Sequence, residues 1–422
     1  MRRWLTVFIF VLVTACFLFP SIVICKDMSN EEIMKELKAL KNRITELEKE
    51  LAKRDQKIEK IKNETVKREE MPGVIEKMKA EGGPLEFLQE HIRLSGLLEF
   101  GGVLANTDMK KGEGKSQSDL NLTTVELAIQ AEVNEWVNAA MILKYEDPTF
   151  AAAIEESGLN LDVGVVTVGN PQKFPLSLTA GAMYVPFGAL LTHFPDSPLV
   201  DQPMTLDLGE DREKAVLLAF NYQDFLASGY VFKGDMNKTG EENRIKTFGF
   251  DANYVFKTDK GFRAKIGASY ISNIADSIGL TEYLHGLNVY SVENYVGGFD
   301  GYLSLSYSNF FLDLEYMTAL RNFAPDEIAT GTGKGAKPMV WNIEAGYNYD
   351  WGRNLEIVLK FAGSRETENL GYPRWRYGIG LNQTIFAGII GSLGYFHDQF
   401  DDLDGEGRDS RDMVFGQIAV EF

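Results

Sequence analysis

From residue 93 to the end of the chain, apolar and polar residues alternate in short stretches with a period of two, the spacing of a β-strand with unlike faces. Leu355, Ile357, Leu359 and Phe361 share one face, and Glu356 and Lys360 the other. In the same way Phe310, Leu312, Leu314 and Tyr316 oppose Asp313 and Glu315; Trp375, Tyr377, Ile379 and Leu381 oppose Arg374 and Arg376; and Phe262, Ala264, Ile266, Ala268 and Tyr270 oppose Arg263 and Lys265. About 16 such runs fit the remaining length, as expected of ten-residue strands with turns. They begin near Arg93, Asp119, Trp136, Leu159, Leu178, Lys214, Phe225, Lys246, Gly261, Gly297, Phe310, Pro338, Leu355, Trp375, Ile389 and Asp412. The gaps alternate between tight turns (Asn134 and Glu135; Gln223 and Asp224; Asn309) and long polar segments such as 187–213, 273–296 and 321–337. Short turns at one end and long loops at the other predict an all-β transmembrane protein, an antiparallel outer-membrane β-barrel of about 16 strands.

The last run predicts how the sheet closes. Val414, Gly416, Ile418, Val420 and Phe422 share one face, with Phe415, Gln417, Ala419 and Glu421 on the other. A strand in hydrocarbon must pair along both edges, because an open edge leaves backbone groups unsatisfied. Val414, Ile418, Val420 and Phe422 are therefore the expected barrel-closing residues. Charge on a lipid face is costly, so the charged faces should line water. That assigns Arg263, Lys265, Asp313, Glu315, Glu344, Glu356, Lys360, Arg374 and Arg376 to the lumen. Trp136, Trp341, Tyr349, Trp351 and Trp375 fall near run ends, where aromatic girdles form.

The pattern before residue 93 is different. Arg2 and Arg3 precede an apolar run from Trp4 to Phe19, which predicts a secretory signal peptide over 1–25. A retained anchor and lipoprotein processing at Cys16 are alternatives for the same stretch. Residues 26–70 turn rich in Lys, Glu and Leu. Leu37, Ile44, Leu51 and Ile58 take heptad a positions, and Ile33, Leu40, Leu47 and Ile61 take d, so a periplasmic α-helical coiled coil is expected ahead of the barrel. So narrow a stripe favours pairing with further copies of the chain; a single solvated helix is the alternative. Pro72, Gly73, Gly82, Gly83 and Pro84 mark a linker over 71–92, which leaves 93–422 for the barrel.

Charge and motifs narrow the function. The formal charge is -18, or -20 once a leader carrying Arg2 and Arg3 is removed, which disfavours nucleic-acid binding through phosphates. Both cysteines, Cys16 and Cys25, lie in the leader. His91, His193, His285 and His397 form no metal-ligand pattern, and no nucleophile elbow or phosphate loop occurs. His193 with Asp196, or His397 with Asp398, is the nearest approach to a catalytic pair, and each reads more simply as a rim residue. Neither an enzyme nor a cofactor is expected.

The segment 187–213 is long yet apolar. Pro195, Pro198 and Pro203 stiffen it, and Leu190, Leu191, Phe194, Leu199 and Met204 would gain by burial against the barrel wall. It is expected to fold inward and set the pore's width, with His193, Asp196, Asp201 and Asp207 projecting into the channel. Capping the extracellular rim, or packing between protomers, is the alternative.

Several segments carry a family likeness. The strand Arg93 to Leu98, with Arg-Leu-Ser-Gly-Leu-Leu, follows a coiled coil. Tyr184, Val185, Pro186, Phe187 and Gly188 are followed by Thr192, His193, Pro195, Pro198, Pro203 and the run Asp207, Leu208, Gly209 and Glu210. In these the chain resembles the LbtU family of outer-membrane siderophore porins. The resemblance implies ferric-siderophore uptake through a barrel without a TonB-dependent plug. The coil is similar to those of trimeric sugar and phosphate porins, which implies a homotrimer. The terminal aromatic resembles the signal read by the barrel-insertion machinery of Gram-negative outer membranes. The expected function is passage of small solutes, with a ferric siderophore as preferred cargo and outer-membrane lipid as surroundings. A general diffusion or sugar/phosphate-type porin, or a structural protein tethered through its coil, are the alternatives.

Overall fold

A computed structural model describes residues 91–147, 158–190, 199–241 and 244–422. The expected leader, the coiled coil and nearly all of the linker lie outside these residues. Long strands open the sheet: β1 (Ile92–Met109), β2 (Lys115–Asn134), β3 (Val137–Glu146), β4 (Gly158–Gly169) and β5 (Leu176–Tyr184). After the helical turn α1 (Met204–Gly209) come β6 (Arg212–Tyr222), β7 (Phe225–Phe232), the two-residue β8 (Asn237–Lys238), β9 (Thr247–Lys257) and β10 (Phe262–Ile271). Helix α2 (Ile278–Gly286) and β11 (Ser291–Val292) precede β12 (Gly298–Tyr307), β13 (Phe310–Ala319), β14 (Met339–Asp350) and β15 (Asn354–Arg365). Last are β16 (Trp375–Phe386), β17 (Ile389–Gln399) and β18 (Arg408–Glu421).

Sixteen of these strands close into one antiparallel barrel, while β8 and β11 pair only with each other, in parallel. Closure runs through β1 and β18, with Leu98 opposite Val420, Phe100 opposite Ile418 and Leu104 opposite Val414. Past the last paired position, the Gly96 N–H donates to the Phe422 carbonyl at 2.8 Å and the Phe422 N–H to the Gly96 carbonyl at 3.1 Å. The Phe422 ring lies over Gly96, where a Cβ would collide with it. Tyr302 covers Gly267 on the facing strand in the same manner.

Burial is inverted relative to a water-soluble domain. Leu359 and its cross-strand partner Ile379 are 58% and 43% exposed, whereas Lys360, next to Leu359 on the same strand, is 4% exposed. Alternate residues point to opposite sides of the sheet, so the apolar set faces outward and the charged set inward. No helix among the described residues is long and apolar enough to cross a membrane. On the outer surface Trp375 stacks on Phe361 at 5.4 Å and meets Trp341 edge-on at 5.5 Å. Phe310 packs on Tyr347 at 4.6 Å near the opposite ends of β13 and β14. At that end the turns are tight: Gln223 and Ser308, each with φ 54°, carry the left-handed conformation that a two-residue hairpin requires.

The apolar core lies inside the barrel, between the wall and the long connections. Val185, Phe187, Met204 and Leu208 pack with Ile274, Leu280, Leu284, Phe323 and Ile328 against Met317, Val340 and Ala362 of the wall. Burying each large apolar side chain contributes about 1.5–3 kcal/mol, so these connections are held as firmly as an ordinary core.

Candidate functional site

The described parts of the connection between β5 and β6, residues 185–190 and 199–211, pack against the interior wall. The base of the connection is clamped by the Val185 N–H donating to the Asp211 carbonyl at 2.9 Å. The Gly188 N–H then donates to Ser269 Oγ on β10 at 2.8 Å, and the Ala189 N–H to Glu315 Oε1 on β13 at 2.6 Å. Gly188 has φ 94°, and a Cβ there would stand 3.0 Å from Glu315 Oε1, so glycine suits both the conformation and the approach. The next described stretch places Leu199 against Val358, Phe396, Met413 and Ala105, which belong to β15, β17, β18 and β1. Pro203, with φ -59°, opens α1, whose buried Met204, Leu206 and Leu208 explain why so short a helical turn persists. The Thr205 hydroxyl donates to Glu315 Oε2, so one carboxylate ties the chain at two points sixteen residues apart. The connection thus reaches both the β10–β15 wall and the β17–β1 wall.

Asp201 joins this segment to a chain of charges on the wall. Lys360 Nζ lies 2.7 Å from Asp201 Oδ2 and 3.2 Å from Glu344 Oε1. Arg376 Nη1 is 3.4 Å from the same Asp201 oxygen, while its Nε and Nη2 grip Asp398 at 2.7 and 3.0 Å. Arg411 Nη2 completes the row, 2.7 Å from Asp398 Oδ2. Three cations and three anions alternate from β14 to β18, and Asp201 alone comes from a loop. Buried charges of this kind persist only when each is paired and hydrogen-bonded.

The remaining residues singled out from the sequence are placed as follows. Asp207 sits in α1, and enclosure pushes its carboxyl up to about 7, aided by Glu210 and Asp201 and opposed by Arg376 and Lys360. Lys265 lies over the Tyr302 ring at 5.1 Å, and Arg263 is exposed at the start of β10. Asp313 stands opposite Ser304 and Glu344, and Glu356 accepts a hydrogen bond from Asn382 Nδ2 at 2.9 Å. Arg374 precedes β16 and pairs with Asp401 of the β17–β18 connection at 2.6 Å. His193 and Asp196 lie outside the described residues. His397 and Asp398, adjacent in sequence, point to opposite sides of the sheet: His397 Nδ1 meets Asp412 at 2.8 Å, whereas Asp398 turns inward to Arg376.

Inward groups not singled out from the sequence include Asp300 and Arg411, and Asp398, read there as a rim residue, also turns inward. Asp300 is fully buried, and neither of its carboxylate oxygens meets a hydrogen-bond partner among the described residues. Parity along β12 and β17 was the available signal, since Asp300 shares a face with Tyr302, and Asp398 with Phe396. Arg411 was hidden by the polar stretch that opens β18. Among the described residues no group of three or more His, Cys, Asp or Glu side chains is arranged to hold a metal ion.

The closed antiparallel barrel has fold relatives among solved structures. An anion-selective porin from Comamonas acidovorans matches with TM-score 0.53 at 12% identity, covering 78% of this chain and 99% of its own. OprB of Pseudomonas putida matches with TM-score 0.54 at 9% identity, covering 80% and 96%. The fold is that of the outer-membrane porins. No protein-family model matches the chain. A UPF0422 protein of Legionella pneumophila strain Paris is 28% identical over 302 residues, 67% of this chain and 55% of the relative. A UPF0422 protein of Coxiella burnetii is 26% identical over 330 residues, 76% and 67% respectively. The chain spans about half the length of the Legionella relatives it matches. A closed antiparallel barrel of this kind, with an apolar outer face, is an outer-membrane structure.

Proposed function

We propose that the protein is an outer-membrane porin that passes small solutes through a water-filled bore narrowed by the 185–211 connection. The observation that carries this reading is the charged inward wall crossed by a segment tied to it through Glu315, Lys360 and Arg376. A narrow, charged constriction contributes most of a channel's selectivity, because a solute there sheds part of its water and meets fixed charges at close range. The side chains Arg263, Lys265, Asp313, Glu315, Glu344, Glu356, Lys360, Arg374 and Arg376 form the lumen and its rim in this reading, with Asp201 and Asp207 at the constriction. His193 and Asp196 belong to the same connection.

The preference for a ferric siderophore rests on the resemblance of the sequence to the LbtU family. The heptads of 26–70 support a periplasmic coil that joins copies of the chain, as a homotrimer by analogy with coiled-coil porins. The leader supports export, and the closing strand with Phe422 supports recognition by the insertion machinery. Single-channel conductance in planar bilayers, measured with and without ferric siderophores, tests the function. Selective uptake predicts saturable block by the cargo. Ohmic flux without saturation would replace siderophore uptake by general diffusion, and absence of conductance in folded protein would refute solute passage altogether.

A further inference from the structure

We propose that Lys360 and Arg376 form a seat for a small aliphatic carboxylate solute, and that the loop residue Asp201 occupies this seat in the resting barrel. The inference rests on the reading of the barrel as a solute channel and names the chemistry its constriction selects. Both cations converge on a single oxygen, Asp201 Oδ2, at 2.7 and 3.4 Å. The other oxygen, Oδ1, is buried without a partner among the described residues, so within them the carboxylate is held from one side only. Every other member of the charge row stands on a strand whose backbone is locked into its neighbours, and cannot leave without opening the sheet. Asp201 alone can be exchanged. Without it, Lys360, Arg376 and Arg411 keep ion pairs only with Glu344 and Asp398 among the described residues, three cations against two paired anions, while Asp207 stands close enough to act on Lys360 and Arg376 without an ion pair to either. Such a site strongly favours an incoming anion.

The surroundings narrow the class of anion. Two residues before Asp201, Leu199 rests on Val358 and Phe396, and the Arg376 guanidinium lies 5.6 Å from the centre of the Phe396 ring. The loop therefore presents a carboxylate beside a branched apolar body, on an apolar shelf next to two cations. A solute that displaces it has the same make-up: one carboxylate and a short hydrocarbon tail. Arg376 already engages Asp398 through Nε and Nη2, which leaves Nη1 for a one-oxygen contact with the incoming carboxylate.

The test compares full-length wild type, Asp201→Asn and the double variant Asp201→Asn/Lys360→Gln, each isolated as a folded, heat-modifiable barrel. In planar bilayers under a KCl gradient, Asp201→Asn is expected to raise the chloride-to-potassium permeability ratio about threefold, as one uncompensated charge in a constriction does. Butyrate is expected to block the Asp201→Asn channel saturably, at about tenfold lower concentration than wild type, because the tethered competitor is gone. Acetate, which lacks the tail, should block more weakly, and the double variant should lose both effects. An unshifted reversal potential and unchanged butyrate block in folded Asp201→Asn would overturn the proposal. Should that variant fail to assemble, Lys360→Gln alone decides: the reversal potential shifts toward cations, or the proposal fails. A wild-type barrel without conductance would refute the channel reading itself, whereas conductance without these shifts refutes only the seat.

Discussion

Glu315 holds the inward connection at two points, and its removal gives a quantitative test of that attachment. In Glu315→Ala the Ala189 N–H and the buried Thr205 hydroxyl both lose their acceptor. A buried donor left unpaired costs about 1–3 kcal/mol, so the attachment weakens by about 2–6 kcal/mol. Relief of the adjacent buried Asp300 carboxylate offsets part of this, and the lower figure is the safer expectation. At 1.4 kcal/mol per decade, 2 kcal/mol raises the fraction of barrels with a detached connection about thirtyfold. The wall itself should survive, because the β12–β13 and β13–β14 ladders do not use this side chain. Single-channel recordings of folded Glu315→Ala should then show larger, noisier conductance. Liposome swelling should admit larger sugars than wild type. Unchanged conductance together with an unchanged size limit in correctly folded protein would refute the reasoning.

Deleting Phe422, or replacing it with Ser, removes the outward ring over Gly96 and is expected to lower the yield of heat-modifiable barrel; normal yield in outer membranes would contradict this. Asp207, with its carboxyl pushed up to about 7, should lose its charge as pH falls from 8 to 6, making the bore less cation-favouring, and Asp207→Asn should flatten that dependence. Because the raised value disfavours the charged form in the folded protein, this group's contribution to stability is fully present below the ordinary Asp range and is lost as pH rises through about 7. Urea midpoints at pH 5 and pH 8 check the sign, and a higher midpoint at pH 8 that disappears in Asp207→Asn would oppose it. A peptide of residues 28–68 should sediment as an oligomer at high micromolar concentration, and a monomer there would remove the case for a coiled coil.

Strand number and facing were set by the sequence alone, because lipid outside and water inside impose a period of two that needs no tertiary context. The runs recognised at Phe225, Phe310, Trp375 and Ile389 coincide with the first residues of β7, β13, β16 and β17. The run placed near Asp412 starts four residues inside β18. Arg408 to Ser410 pair with β1 beyond the apolar alternation that marks a strand in sequence. Likewise β1 and β2, at 18 and 20 residues, extend past their apolar stretches.

Only the closed barrel decided which charges meet. Asp201 lies 159 residues from Lys360 and 175 from Arg376, and no spacing rule joins them. Their meeting depends on the register of β14 to β18 and on the path of the 185–211 connection. That path is governed by burial: Phe187, Leu199 and Leu208 leave water only by packing against the inner wall. The sheet also separated His397 from Asp398 and joined Asp398 to Arg376 and Arg411, because neighbours on a strand face opposite sides while residues across strands share one. Alternation along a strand is a local property and legible in the chain; which inward groups stand side by side is a property of register and closure, which arise only when all sixteen strands are in place.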